Sequence, residues 1–129
     1  MKPYEESHEI EITPKLKQKL HEYSQLHDFY GEMLTEKQNT CFTMHYLEDY
    51  SLAEIGEVLG ITPQAVADQV KRTAGILKRY EEKLGFIKNW EKQQNQLNRI
   101  NSLLLRLIEE GYPLEPIMEM LDEIRQDEM

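Results

Sequence analysis

Apolar side chains recur every three or four positions along most of the chain, which is the spacing that places them on one face of an α-helix. The longest such stripe runs through the middle of the sequence and consists of Val66, Val70, Thr73, Leu77, Tyr80 and Leu84. Only the short alternation around Ile10 and Ile12 imitates a strand, and it has no partner elsewhere in the chain. The pattern therefore predicts an all-α protein with five or six helices.

Capping residues set the predicted helix starts. Three starts carry side chains that accept hydrogen bonds from open backbone donors: Thr35 with Gln38, Ser51 with Glu54, and Thr62 followed by Pro63. Gly60 and Gly85 are the predicted ends of the third and fourth helices, where glycine accepts a left-handed conformation. Gly75 lies inside the fourth helix and costs about 1 kcal/mol relative to alanine, which suggests a close approach by a neighbouring helix or a partner.

The predicted helices group into three segments. We interpret residues 1–14 as a mobile acidic arm, residues 15–85 as a helix-turn-helix domain, and residues 86–129 as a C-terminal helical hairpin. The apolar side of the fifth helix is broader than a chain of 129 residues can easily cover. We therefore expect a homodimer, with the hairpin as the dimerisation element.

The stretch SLAEIGEVLGITPQAVADQVKRT, residues 51–73, has the properties of a helix-turn-helix. Two short helices that cross steeply need a small residue where their backbones approach, a turn residue that accepts positive φ, and an apolar wedge. Gly56, Gly60 and Val66 fill these needs in that order. A generic helical hairpin without a binding role is the alternative, and it leaves the Gly-Ile-Thr-Pro turn and both caps unexplained.

The charge balance opposes strong binding to DNA. The chain has 15 Lys and Arg against 24 Asp and Glu, a formal net charge of −9, so the molecule as a whole repels phosphate and anionic membranes. Residues 35–80 carry five basic and six acidic residues. Four or five phosphate contacts are then available at most, where strong duplex binders make roughly six to ten. A monomer should bind DNA weakly.

The exposed side of the fourth helix nevertheless has a local excess of cations on its later turns. The candidate residues for binding a nucleic acid or another partner are Gln64, Asp68, Gln69, Lys71, Arg72, Lys78 and Arg79. Such a surface suits a partner with a defined anionic patch, which is a protein, a compact RNA, or DNA if a dimer doubles the contacts. The alternative is a solvated helix face whose cations pair with Glu81 and Glu82.

No catalytic, cofactor or metal motif is present in the sequence. The four histidines do not share metal-ligand spacing, and His45 with Cys41 is an isolated pair that lacks further ligands. The single cysteine, Cys41, lies in an apolar helical pattern and is predicted to be a buried hydrophobe in a reducing compartment. Without a signal peptide or a long apolar run, we expect a soluble cytoplasmic protein that is not an enzyme.

The residues from Leu34 to Phe86, with the overlapping LHDFYGEML, resemble the YlxM family of small bacterial proteins, which is similar to region four of sigma factors. The specific elements are DFY, LT-x-KQ, YLEDYSLAEI, QAV, KRT and YEEKL. The resemblance implies a cytoplasmic regulatory or adaptor protein, encoded beside the genes of the signal recognition particle. Its implied partners are the particle's GTPase, the receptor of that GTPase, or the particle's RNA.

Two departures from the family pattern bear on function. Thr62-Pro63 stands before QAV where the family usually has Ser-Arg, and Ala67-Asp68-Gln69 follows it where the family often has Tyr-Asp-Asn. The first change removes a cation from the contact end of the helix. Both changes weaken the second hypothesis, that the protein is a sequence-specific DNA-binding transcriptional regulator.

Overall fold

The computed structural model describes residues 13–127, and these residues form helices and connecting turns without a strand. The all-α prediction is confirmed for this part of the chain. Six α-helices follow one another along the sequence: α1 (Pro14–Tyr30), α2 (Glu36–Phe42), α3 (Leu52–Leu59), α4 (Pro63–Leu84), α5 (Phe86–Glu109) and α6 (Glu115–Asp127).

The chain divides into two compact units between Leu84 and Gly85. The predicted mobile arm over residues 1–14 lies mostly outside the described residues, but its last two residues are the N-cap and the first helical residue of α1. The Thr13 side chain accepts a hydrogen bond from the Leu16 N–H at 3.2 Å, and Pro14 is the first helical residue. Proline suits that place because its missing N–H would have no helical partner. The helical domain therefore begins before the predicted Lys15.

The turn between α3 and α4 has the geometry that the sequence predicts. Gly60 has φ of 72°, and the Ile61 N–H donates to the Gly56 carbonyl at 3.0 Å. A Cβ at Gly56 would lie only 2.6 Å from the Ile61 carbonyl oxygen, so the close approach of the turn requires glycine. The Thr62 hydroxyl then accepts from the Ala65 N–H at 3.1 Å and opens α4.

A buried apolar cluster fixes the angle between these helices. Its fully enclosed members come from α2, α3 and α4, and they are Cys41, Ile55, Val66 and Val70. Partly buried side chains, among them Leu59 and Ile61, pack around the cluster. Burying a large aliphatic side chain contributes roughly 1.5–3 kcal/mol, so this wedge accounts for much of the stability of the motif.

A second layer packs α1 against α2 and α4. The rings of Tyr23 and Phe42 meet edge to face at 5.8 Å between centroids. Tyr30 is completely buried, and its hydroxyl donates to the Glu81 carboxylate at 2.6 Å. This hydrogen bond joins residues 51 positions apart and ties the last turn of α1 to α4.

The predicted second helix is less regular than its periodicity indicates. α2 ends at Phe42, and Thr43–Leu47 form one turn of π-helix in which the Glu48 N–H donates to the Thr43 carbonyl. Asp49 then adopts φ of 60°, which is uncommon for a residue other than glycine. The wider turn and this bend redirect the chain so that Ser51 can cap α3.

The predicted apolar stripe of the fourth helix and the apolar side of the fifth are buried only in part. Val66, Val70, Thr73 and Leu77 are enclosed, but Leu84, at the end of α4, is 42% exposed, so its predicted burial is wrong. In the C-terminal unit α5 and α6 pack as a hairpin whose enclosed side chains include Leu104 and Leu121. Several other members of their stripes remain exposed because a two-helix hairpin encloses only the seam between its helices.

Gly56→Ala should lower the free energy of unfolding by about 1–3 kcal/mol, because the new Cβ overlaps backbone that cannot rotate away. The matched control is Gly75→Ala, also inside a helix, where nothing lies within 4 Å of the added atom. That control should raise the free energy of unfolding by about 1 kcal/mol through helix propensity alone. Chemical denaturation of both variants measures the difference, and equal effects would contradict the close approach at Gly56.

Candidate functional site

The candidate site is the exposed side of α4, where side chains at helical spacing border an open depression of about 720 Å³. All of its lining residues belong to this one helix: Asp68, Lys71, Arg72, Gly75, Lys78, Arg79 and Glu82. Positions three, four and seven apart share one face of a helix, so the sequence spacing alone brings these side chains together. We call Lys71, Arg72, Gly75, Lys78 and Arg79 the basic face.

The cations of the basic face form two rows. Lys71 and Lys78 are seven residues apart on one side of the helix, and Arg72 and Arg79 repeat this spacing on the other side. A rise of 1.5 Å per residue makes each row about 10 Å long. Gly75 lies between the rows, so the surface has four exposed charges around a centre without a side chain.

Acidic side chains limit the basic face at both ends. Asp68 borders the depression towards the start of α4, and Glu82 borders it towards the end. Their α-carbons are 14 residues apart, which corresponds to about 21 Å along the helix. The basic face is therefore short, and it belongs to a chain of net charge −9.

The two glutamines predicted for the site lie outside the depression. Gln64 is exposed on the first turn of α4, and its amide nitrogen is 3.4 Å from the Asp68 carboxylate. Gln69 is half-buried, and its side chain lies 3.5 Å from the hydroxyl of the buried Thr73. Of the seven candidate residues, the structure thus brings five to the depression, while Gln69 is turned towards the helix flank.

Contacts with α1 hold part of this surface in place. The Lys78 ammonium lies 5.3 Å from the centroid of the Tyr23 ring, within the range of a cation–π interaction. Glu81 accepts the hydrogen bond of Tyr30, which places this carboxylate on the inner side of α4. Sequence reasoning missed both contacts because they join residues more than 50 positions apart. It predicted a close approach at Gly75 but included neither Gly75 nor Glu82 among the candidate residues of the site.

Cys41 and His45 do not form a reactive pair. Cys41 is fully buried, and burial raises the pKa of its thiol, while the charge of Lys37 offsets part of that rise. His45 contacts the Tyr50 carbonyl instead, at 3.4 Å. Within residues 13–127 no three His, Cys, Asp or Glu side chains are arranged to hold a metal ion. Over the same residues no helix is long and apolar enough to cross a membrane.

Comparison with known proteins gives one consistent family. The model of the UPF0122 family, described as a helix-turn-helix protein that is "YlxM / p13 like", matches residues 17–112. The chain is 41% identical over 102 residues to a UPF0122 protein of Thermoanaerobacter sp. (strain X514), which covers 79% of this chain and 86% of the relative. It is 37% identical over 99 residues to a UPF0122 protein of Geobacillus kaustophilus (strain HTA426), and the match covers 77% of this chain and 90% of the relative.

The buried Cys41 thiol should make the free energy of unfolding fall as the pH rises into the alkaline range. Its pKa is higher in the folded than in the unfolded chain, so its contribution to stability is complete below the unfolded value of about 8.5 and is lost as the pH rises through the folded value. Cys41→Ala should remove this component and cost about 1 kcal/mol for the lost packing. Denaturation of both proteins between neutral and alkaline pH measures the difference. Rapid thiol labelling of the native protein at neutral pH would contradict this account.

Proposed function

The chain belongs to the YlxM/p13-like helix-turn-helix family, and we propose that it is a non-enzymatic regulatory or adaptor protein that binds a macromolecular partner through α4. The observation that supports this proposal is the basic face, whose four cations remain exposed in an otherwise acidic molecule. An acidic molecule repels polyanions in general, so a local positive patch favours a partner that matches it over a short distance.

The partners that we propose are those of the signal recognition particle pathway: the particle's GTPase, its receptor, or its RNA. Each of these partners can present anionic groups over a short distance. The basic face requires this because its rows of cations are only about 10 Å long. Phosphate and carboxylate groups both accept charge-assisted hydrogen bonds from arginine and lysine. No cofactor or metal is needed for such binding, and no contact with a membrane is part of the proposal.

The second candidate is a sequence-specific DNA-binding regulator. In many helix-turn-helix proteins the first turns of the second helix contact base edges. On α4 these turns carry Gln64, which is exposed, and Asp68, whose carboxylate repels the DNA backbone. Four cations also allow fewer phosphate contacts than the roughly six to ten of a strong binder. A dimer that doubled the contacts would be needed.

We also propose that the C-terminal hairpin forms a homodimer. Six large apolar side chains of α5 and α6 are between 37% and 63% exposed: Ile100, Leu103, Leu107, Ile117, Met120 and Ile124. Their spacing of three, four and seven residues places each trio on one side of its helix. Together they leave an apolar surface in water that a partner can cover, and each partner of a stable interface covers roughly 800 Å². A second hairpin would complete a four-helix bundle.

Lys71→Ala with Arg72→Ala should weaken binding to the proposed partner by roughly tenfold or more at low salt, because two charges of the basic face are lost. The measurement is a titration of the protein against the particle's GTPase, its receptor, its RNA and random duplex DNA at two salt concentrations. The control is Lys92→Ala with Arg99→Ala on α5, which removes the same charge from exposed positions elsewhere.

The salt series separates the two candidate functions. Binding to the particle's GTPase, receptor or RNA that falls only in the α4 variant supports the adaptor. Tight binding to duplex DNA, with a steep salt dependence that the α4 variant reduces, would replace the adaptor with the DNA-binding regulator. Equal losses in the α4 variant and in the α5 control would refute a specific role for the basic face.

Leu103→Glu with Met120→Glu should convert a dimer into a monomer, since each change buries a charge in the proposed interface. Light scattering at tens of micromolar measures the mass. Val58→Glu is the control, because Val58 is also exposed, at 66%, but lies on α3. A single-chain mass for the unmodified protein would exclude the dimer.

A further inference from the structure

Gly75 has no structural reason to be glycine. It does not adopt a left-handed conformation, and a Cβ added there would meet nothing within 4 Å. Glycine in a helix interior is less favourable than alanine because its backbone loses more entropy on folding. The close approach predicted at this position therefore does not come from within the chain, in contrast to Gly56, which the Ile61 carbonyl crowds.

The place of Gly75 on the surface gives a different reason for a glycine. It lies at the floor of the open depression that the basic face borders, between the row of Lys71 and Lys78 and the row of Arg72 and Arg79. A side chain at this position would project into the open volume and hold any bound molecule away from the helix. Without one, a bound group can reach the helix surface while four cations surround it.

We infer that Gly75 is the floor of a phosphate-binding depression in which the sugar–phosphate backbone of a structured RNA lies against α4. This inference rests on the proposed function and specifies the partner as RNA. It assigns the glycine a role in binding that the helix itself does not require. The charged rows would hold the phosphate oxygens from two sides, and the absent side chain would set how closely they approach.

The lining favours a phosphate backbone over a protein surface. Every side chain that borders the depression ends in a charged group, and the apolar part of the lining comes from the methylene stems of these side chains. Protein interfaces have an apolar centre within a polar rim, whereas phosphate contacts need only charge and hydrogen-bond donors. A docked protein helix would meet only these stems, and no apolar side chain, at the centre of this surface.

The length of the positive surface favours a compact RNA over a long uniform duplex. Asp68 and Glu82 close the depression at its two ends and repel a backbone that continues along the helix axis. A bent or looped strand can bring a few phosphates to the four cations and then leave. Structured RNAs offer such bends at bulges and internal loops, where proteins commonly recognise them.

Gly75→Leu tests the role of the floor. Leucine is a better helix former than glycine and has free space here, so thermal stability should rise while affinity falls by on the order of tenfold. The probe is a labelled RNA hairpin with an internal loop, titrated into the full chain alongside DNA duplex of the same length and poly-glutamate. Gly75→Ala, with a smaller side chain, should give an intermediate loss.

Two controls separate this inference from the proposed function. Ala53→Leu adds the same side chain to an exposed position of α3 and should leave RNA affinity unchanged. Lys71→Ala with Arg72→Ala should lower the slope of log affinity against log salt concentration by roughly one to two, whereas Gly75→Leu should leave the slope near its original value. A lower RNA affinity with an unchanged salt slope is therefore the result expected only if the side chain at position 75 sets how closely the phosphates approach.

The outcomes are distinct. Lower RNA affinity in Gly75→Leu, with higher thermal stability and unchanged binding in Ala53→Leu, supports the inference. If Gly75→Leu binds RNA as tightly as the unmodified chain while Lys71→Ala with Arg72→Ala binds it more weakly, the role of Gly75 in binding is refuted and the role of the basic face is retained. Absence of RNA binding, or poly-glutamate bound more tightly than RNA, overturns the phosphate assignment. RNA binding that none of the α4 variants alters refutes the basic face itself.

Discussion

The contact between Gly56 and the Ile61 carbonyl is the constraint on which the helix-turn-helix depends. Only a residue without a side chain lets the turn pass this close to α3, at a distance of 2.6 Å from where a Cβ would lie. Gly60 then reverses the chain with positive φ, and Thr62 starts α4 in its new direction. The cluster around Ile55 and Val66 stabilises the resulting angle. The exposed side of α4, and with it the candidate site, follows from this geometry.

Local signals made most of the fold predictable from the sequence. Capping boxes and turn glycines act over three to five residues, so Ser51 with Glu54, Gly60 and Gly85 could be assigned without tertiary information. The π-helical turn at Thr43–Leu47 could not, because an added residue per turn depends on how the segment packs. The exposure of Leu84 was missed because periodicity gives the face of a helix but not the length over which that face is covered.

The candidate site was predictable to a similar extent. Spacing alone placed Lys71, Arg72, Lys78 and Arg79 on one face, since helical periodicity fixes their relative directions. It did not reveal that Gln69 approaches Thr73 instead of lying on that face, because periodicity places Thr73 in the apolar stripe but does not fix the direction of the Gln69 side chain. The bond between Tyr30 and Glu81 likewise joins distant positions and leaves no periodic signal.

The charge distribution explains how an acidic protein can retain a specific positive surface. At a net charge of −9, long-range repulsion disfavours nonspecific association with nucleic acid. A partner is attracted to the basic face only when its anionic groups come within a Debye length, about 8–10 Å, of the four cations. Asp68 and Glu82 sharpen this effect by ending the patch after a few turns. The same surface thus limits both the strength and the range of binding. A glycine at its centre adds a requirement of shape, because closeness of approach, and not charge alone, then determines which anionic group is held.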